Sequence, residues 1–240
     1  MQIENAPITS RRRFMYVPRI DFYGPVHRGL RWALARTLSR IGRTSPASKA
    51  EVVMVLADVD ELLVAIASHI SHEENFIHPA LEARRPGAAA ALEGDHLDHE
   101  GAAQGIRVLI DAIRTGSSDT RPALWRALYL RFADFTAENF VHMAEEEEVI
   151  QPMLEELYEP AELEAINQRL VAAIPPEEMT VFARLMLPAN DFDFRVRMLE
   201  EARAAMPSAA FVGLFATATV NLSPDEIQAL ADRLVAADAE

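Results

Sequence analysis

His142-Met143-Ala144-Glu145-Glu146-Glu147-Glu148-Val149-Ile150-Gln151-Pro152-Met153-Leu154 repeats, without a gap, the chemistry of His69-Ile70-Ser71-His72-Glu73-Glu74-Asn75-Phe76-Ile77-His78-Pro79-Ala80-Leu81. In both stretches a His is followed four residues later by Glu-Glu, and then by Ile, Pro and Leu at matching places. Side chains four apart lie one above the other on a helix, so His69 with Glu73, and His142 with Glu146, each aim two donors at one point. An internal repeat of this kind predicts two helix pairs related by a rough twofold.

Working outward, punctuation sets four long helices. The first follows Gly24-Pro25, with Pro at its favoured opening position, and ends near Gly42. The second opens at Ser48, where Glu51 completes a capping-box pattern, and runs toward Pro86-Gly87. The third spans about Ala88 to Gly116, and the fourth runs from Thr120–Pro122 to about Tyr158. Each carries an apolar stripe at alternating three- and four-residue steps. The stripes read Tyr23, His27, Leu30, Leu34, Thr37, Ile41; then Val55, Val59, Leu62, Ile66, His69, Glu73, Phe76, Ala80. The other two read Leu92, His96, His99, Ala103, Ile106, Ile110, Ile113, and Trp125, Leu128, Phe132, Phe135, Asn139, His142, Glu146, Val149, Met153. The expected fold is all-α: an up-down-up-down four-helix bundle with a smaller helical C-terminal extension. Each stripe is interrupted once, by histidine with or without glutamate.

Five imidazoles (His27, His69, His96, His99, His142) and two carboxylates (Glu73, Glu146) thus converge on one interior. A lone core histidine is more often a packing residue than a ligand, and by that standard His27 alone would mean little. The set is different. Burying an unpaired carboxylate costs on the order of several kcal/mol, while a domain has only about 5–15 kcal/mol to spare. A bound cation relieves that cost. Imidazole with carboxylate suits iron, manganese, zinc or copper and discourages magnesium and calcium. Seven donors exceed what one ion takes from protein, so two ions bridged by the glutamates are expected. His72 reads as a surface or supporting residue, and His78 as lying well round the helix from Glu73. Within Glu145–Glu148 only Glu146 is on the inward stripe, and Pro79 and Pro152 are expected to kink or end their helices.

Composition narrows the class. With 23 basic and 37 acidic residues the net charge is −14, which disfavours nucleic acid and anionic membranes as partners. Arg11-Arg12-Arg13 reads as a basic end segment, and the residues after it are too short and broken for a secretory core. With no cysteine, disulfides, iron–sulfur clusters and thiolate metal sites are excluded. The run Ala205 to Val220 falls short of a membrane span, and a cytoplasmic location is expected. Beyond His142 there is no further histidine. From about residue 158 the chain breaks into short helical pieces, with starts at Pro160, Pro175-Pro176, Asp191, Pro207 and a Ser223–Glu226 capping box. This extension, 158–240, is expected to be structural or to mediate interaction, packing Phe211, Val212, Leu214 and Phe215 on the bundle or on a second subunit.

The pattern resembles the hemerythrin/HHE cation-binding domain over about residues 21–157. The marks are His27 early in the first helix, H-x3-E-E at His69 and at His142, and His96 and His99 on the third helix. The resemblance implies a non-haem centre of two iron ions. His27, His69, Glu73, His142 and Glu146 carry over as ligands, with both glutamates as bridges. It implies a protein that binds or senses O2, NO or redox state through a small diatomic ligand, and is not primarily an enzyme. The alternative is a di-iron redox enzyme acting on NO or peroxide, or an iron donor for cluster repair. Oxygen-carrying hemerythrins have H-x3-H on the third helix and H-x4-D on the fourth, whereas this chain has H-x2-H and H-x3-E. That places it with the broader bacterial HHE-type proteins and leaves the third-helix ligand open between His96, His99 or both.

Overall fold

The computed structural model describes residues 16–236, and the Arg11–Arg13 cluster lies outside the described residues. Helix α1 spans Gly24–Arg43, with Pro25 in its first turn. The Asp21 carboxylate accepts hydrogen bonds from the Tyr23 and Gly24 amides (3.3 and 2.7 Å), satisfying donors that the helix start leaves open. Helix α2 spans Lys49–His72; Ser48 sits at its N-cap without making a side-chain cap, so the capping box read from Glu51 does not form. Helices α4 (Ala90–Thr115) and α5 (Arg121–Glu145) complete the bundle.

Both H-x3-E helices continue past their ligands by the same device. After α2 comes a π-helical turn, Glu73–Ile77, and then α3, His78–Arg84. After α5 comes the π turn Glu146–Ile150, and then α6, Gln151–Leu157. Pro79 and Pro152 cannot donate to the α-helical ladder. Widening the preceding turn absorbs the break: the amides of His78 and Gln151 reach five residues back, to the Glu73 and Glu146 carbonyls. The prolines therefore do not end the helices.

That widening shifts the stripe by one residue beyond the site. The α-helical reading put Phe76, Val149 and Met153 inward; the structure buries Ile77, Ile150 and Leu154, and leaves Val149 exposed. Before the π turns the phase holds. Leu30, Leu34 and Ile41 from α1, Val55, Val59 and Leu62 from α2, and Phe132 and Phe135 from α5 form one core. Tyr23, Ile77, Leu81, Leu92, Ile150, Leu154 and Leu163 form another. Along the stripes, the histidine and glutamate layer falls between the two cores. Each fully buried Leu or Phe contributes about 1.5–3 kcal/mol relative to exposure, so apolar layers on both sides can carry a polar one between them.

The extension begins where the proline and acid signals put it: α7 Pro160–Ala173, α8 Pro176–Ala189, α9 Phe192–Ala205, α10 Ser208–Ala218 and α11 Pro224–Ala236. Asp191 caps α9 through the Phe194 amide, and Ser223 with Glu226 forms a reciprocal capping box before α11. Leu187, Val196, Leu199, Leu214, Leu222 and Leu230 give it a core of its own. Leu214 is buried there and Phe211 and Phe215 pack against it, whereas Val212 remains 67 % exposed.

Helix α8 joins the extension to the bundle by lying along α1. Gly29 permits the approach, since a Cβ there would stand 3.1–3.2 Å from the Leu185–Met186 backbone. Polar ties lock the register. Arg28 Nε donates to Asn190 Oδ1 (2.6 Å), and Asn190 Nδ2 donates to the Pro25 carbonyl (2.9 Å). Arg184 pairs with Glu61, and Arg36 donates to Asn221. Among the described residues no helix is long and apolar enough to cross a membrane.

Candidate metal centre

Six of the seven side chains singled out from the sequence meet in two sets of four. One is His27, His69, Glu73 and Glu146; the other is Glu73, His96, His142 and Glu146, and within each set the donor atoms lie within 4.8 Å of one another. The two glutamates belong to both sets, with one oxygen turned to each. Glu73 Oε1 lies 3.1 Å from His69 Nε2 and 3.8 Å from His27 Nε2, while its Oε2 lies 3.5 Å from His96 Nε2. Glu146 Oε2 lies 3.4 Å from His27 Nε2, and its Oε1 lies 3.5 Å from His142 Nε2. The seventh, His99, is buried and its ring stands edge-on to that of His142 at 4.9 Å, but it falls outside both sets. On the third helix the geometry therefore favours His96.

Carboxylates behind the imidazoles set their tautomers. His27 Nδ1 is 2.9 Å from Glu147 Oε1, which Arg31 also holds at 2.6 Å. His96 Nδ1 is 3.2 Å from Glu74, and His142 Nδ1 is 3.3 Å from Asp95. A carboxylate at Nδ1 fixes the proton there and leaves Nε2 as a bare lone pair, the arrangement that supports metal-bound histidines. Yet His27 Nε2 faces His69 Nε2 at 3.1 Å, and His96 Nε2 faces His142 Nε2 at 3.0 Å. With the protons of His96 and His142 held at Nδ1, both facing Nε2 atoms would be free to offer their lone pairs to one cation. The second oxygens tell the same story: Glu73 Oε1 and both Glu146 oxygens are buried without a hydrogen-bond partner. Natively orphaned polar atoms are rare and need a cause. The donor set and its orphans fit two cations, one per set, with Glu73 and Glu146 spanning both.

Electrostatics agree. Burial, and then the neighbouring His142, push His96 and His99 down to about 4, and burial with His27 holds His69 well below its ordinary value. These imidazoles are neutral at pH 7, as ligation requires. Burial opposes charge on His142 too, but Glu146 and Asp95 outweigh it and raise the group. The two glutamates split. Burial and then the Glu146 charge hold Glu73 well above its ordinary value. Burial also opposes the Glu146 charge, but His142, His27 and His69 outweigh it and bring the group to about 2. A pair of cations would allow both to ionise.

Four neighbours escaped the sequence reading. Glu147, Glu74 and Asp95 look like solvated charges on an α-helical wheel, because a support behind a ligand has no spacing signature of its own. His78 is the fourth. Five residues after Glu73 it lies off-face in an α-helix, but the π turn brings it inward. It is buried, stacks on His96 with ring centroids 5.1 Å apart, and leaves both ring nitrogens unpartnered. The equivalent residue in the other repeat, Gln151, is equally buried but accepts from the Phe22 amide and donates to the Ile20 carbonyl. His72 is half-buried and meets Glu178 of α8 at 3.2 Å, linking the bundle to the extension. Tyr23, fully buried beside Glu146 and Glu73, has a hydroxyl with no partner.

The family model described as the hemerythrin HHE cation binding domain matches residues 20–154. That span opens just before α1 and closes within α6, so it takes in the bundle and all six grouped side chains. No curated protein and no solved structure matches the chain.

Proposed function

The chain belongs to the hemerythrin HHE cation-binding domain family, and from that premise we propose that it is a non-haem di-iron protein that binds a small diatomic ligand, O2 or NO. The observation that carries the reading is the sharing of Glu73 and Glu146 between the two sets of donors, one oxygen to each. Such sharing is superfluous for one ion and natural for a bridged pair. His27 and His69 would complete the first ion's protein ligands, and His96 and His142 the second's. Iron is the family's usual metal and is compatible with the donor chemistry, and the spacing of the imidazoles disfavours a tetrahedral ion such as zinc. Two metal–nitrogen bonds of ~2.1 Å at a right angle put the nitrogens ~3.0 Å apart, whereas a tetrahedral angle needs ~3.4 Å. The facing nitrogens stand 3.1 and 3.0 Å apart.

When bound, iron would supply an open coordination position and a change of oxidation state. The protein would supply orientation and exclusion of water. Glu147, Glu74 and Asp95 hold three imidazoles by Nδ1, and all but one of the grouped side chains are almost wholly enclosed. Anaerobic titration of the ferrous full-length chain with NO, followed by optical and electron paramagnetic resonance spectra, tests this. The expected outcome is saturable binding to the iron with NO recovered unchanged. Iron that ignores both NO and O2 would overturn the proposal, and catalytic loss of NO would replace it with the enzymatic alternative.

A further inference from the structure

His69 is the most exposed of the six grouped side chains, at 11 % against 6 % or less for the others. It opens on a cleft of about 620 Å³ whose inner surface also includes Glu73. Its apolar lining comes from both parts of the molecule: Phe22 and Val26 at the start of α1, Leu170 of α7, Phe182 and Met186 of α8, and Met198 of α9; charged side chains, among them Asp21, Arg28, Asp191, Arg197 and Glu201, share the lining. The extension thus contributes no member of the two donor sets but roofs the approach to one of them.

Size and charge say what the cleft suits. A water occupies about 30 Å³ of liquid, so the space exceeds the needs of a diatomic many times over and lies within the ~300–1,000 Å³ of ordinary ligand pockets. The cations around it have acidic neighbours: Arg19 pairs with Glu155, and Arg197 and Arg28 lie near Asp191. No cation without an acid beside it waits there for an anionic group, and methionines line irregular apolar sites that adapt to their contents. We propose that this cleft binds an uncharged, apolar organic molecule with one end against the His69–Glu73 edge. Its functional meaning rests on the metal-centre reading, but its existence does not. The organic molecule and a diatomic ligand would share one entrance, so occupancy of the cleft would control access to the first set of donors.

The test uses the full-length chain and 1-aminoanthracene, a fluorophore that is uncharged at neutral pH. The metal-free protein should bind it saturably at one site per chain. Leu170→Trp and Met186→Trp, on separate helices and checked for retained helicity, should each weaken binding by about tenfold or more. Val53→Trp, on an exposed face of α2, should not. Loading with paramagnetic cobalt(II) should quench the bound probe, and loading with zinc(II) should leave it bright. Absence of saturable binding by the metal-free parent overturns the proposal. So does undiminished binding by a folded Leu170→Trp or Met186→Trp variant, or a cobalt-loaded chain that leaves the probe unquenched. If neither metal binds while the probe does, the metal-centre reading fails and the cleft stands.

Discussion

The repeat at His69 and the repeat at His142 present the same motif on the same π-interrupted helix, yet their surroundings differ. Around His142 the site is walled with more imidazole: His99 edge-on to His142 and His78 stacked on His96. Around His69 the rings are His27, edge-on at 5.1 Å, and Tyr23 beside His27, and the side chain also opens on the cleft roofed by the extension. The carboxylates also differ, Glu146 being held low by His142 and Glu73 held high by burial and by Glu146. A shared motif therefore sets where donors sit, while what packs behind them decides which half is enclosed, which is open and which carries the charge.

The largest expected effect sharpens the carboxylate contrast. In the metal-free chain Glu146→Gln should cost about 3–5 kcal/mol, because it removes the buried carboxylate that pairs with His142. Glu73→Gln should be nearly neutral, since burial and Glu146 already oppose its charge. Urea unfolding of both variants measures the difference; equal losses would break the contrast. Both variants should lose metal from the two sets alike.

Acid should act through the imidazoles that burial holds low. His96 and His99 have folded-state values of about 4, below the 6.5 of an unperturbed imidazole. Between those values the unfolded chain takes up protons that the folded chain refuses, so stability is present above pH 6.5 and is lost as pH falls toward 4. His142, raised, works in the opposite direction, losing its contribution as pH rises through its folded value, but it is one group against four, since His69 and His78 are lowered as well. Metal-free His96→Asn and His99→Asn variants should show a flatter fall in unfolding free energy between pH 6.5 and 4; an unchanged slope would contradict the assignment.

Smaller effects separate the two π turns and the junction. Gln151→Ala strands the Phe22 amide and Ile20 carbonyl and should cost about 1–3 kcal/mol, whereas His78→Ala removes a ring with no hydrogen bonds and should leave metal content intact. Gly29→Ala forces a Cβ toward the Leu185 backbone and should cost about 1 kcal/mol, the low end of overpacking, with faster proteolysis of the extension. Resistance equal to the parent would show that α8 is not seated through that close approach.

Much of this was legible in the chain. Helix starts at Pro25, Pro160, Pro176 and Pro224 follow from proline's tolerance of a first turn, and the stripes held up to the ligand layer because α-periodicity held there. They slipped by one at Ile77, Ile150 and Leu154 because a π turn leaves no mark in periodicity until its proline is taken as a ladder break inside a continuing helix. The six grouped side chains were all named. The choice between His96 and His99, three residues apart on one face, needed the positions of Glu73 and His142. Glu147, Glu74 and Asp95 were missed because each lies beside the inward stripe and gains its role only from a histidine on another helix.

The central claim is that Glu73 and Glu146 are shared between two ions. Metal analysis and Mössbauer spectroscopy of the full-length chain from iron-replete cells test it most directly. The account predicts close to two irons per chain, antiferromagnetically coupled when oxidised. One uncoupled iron per fully folded chain, or none, would contradict it.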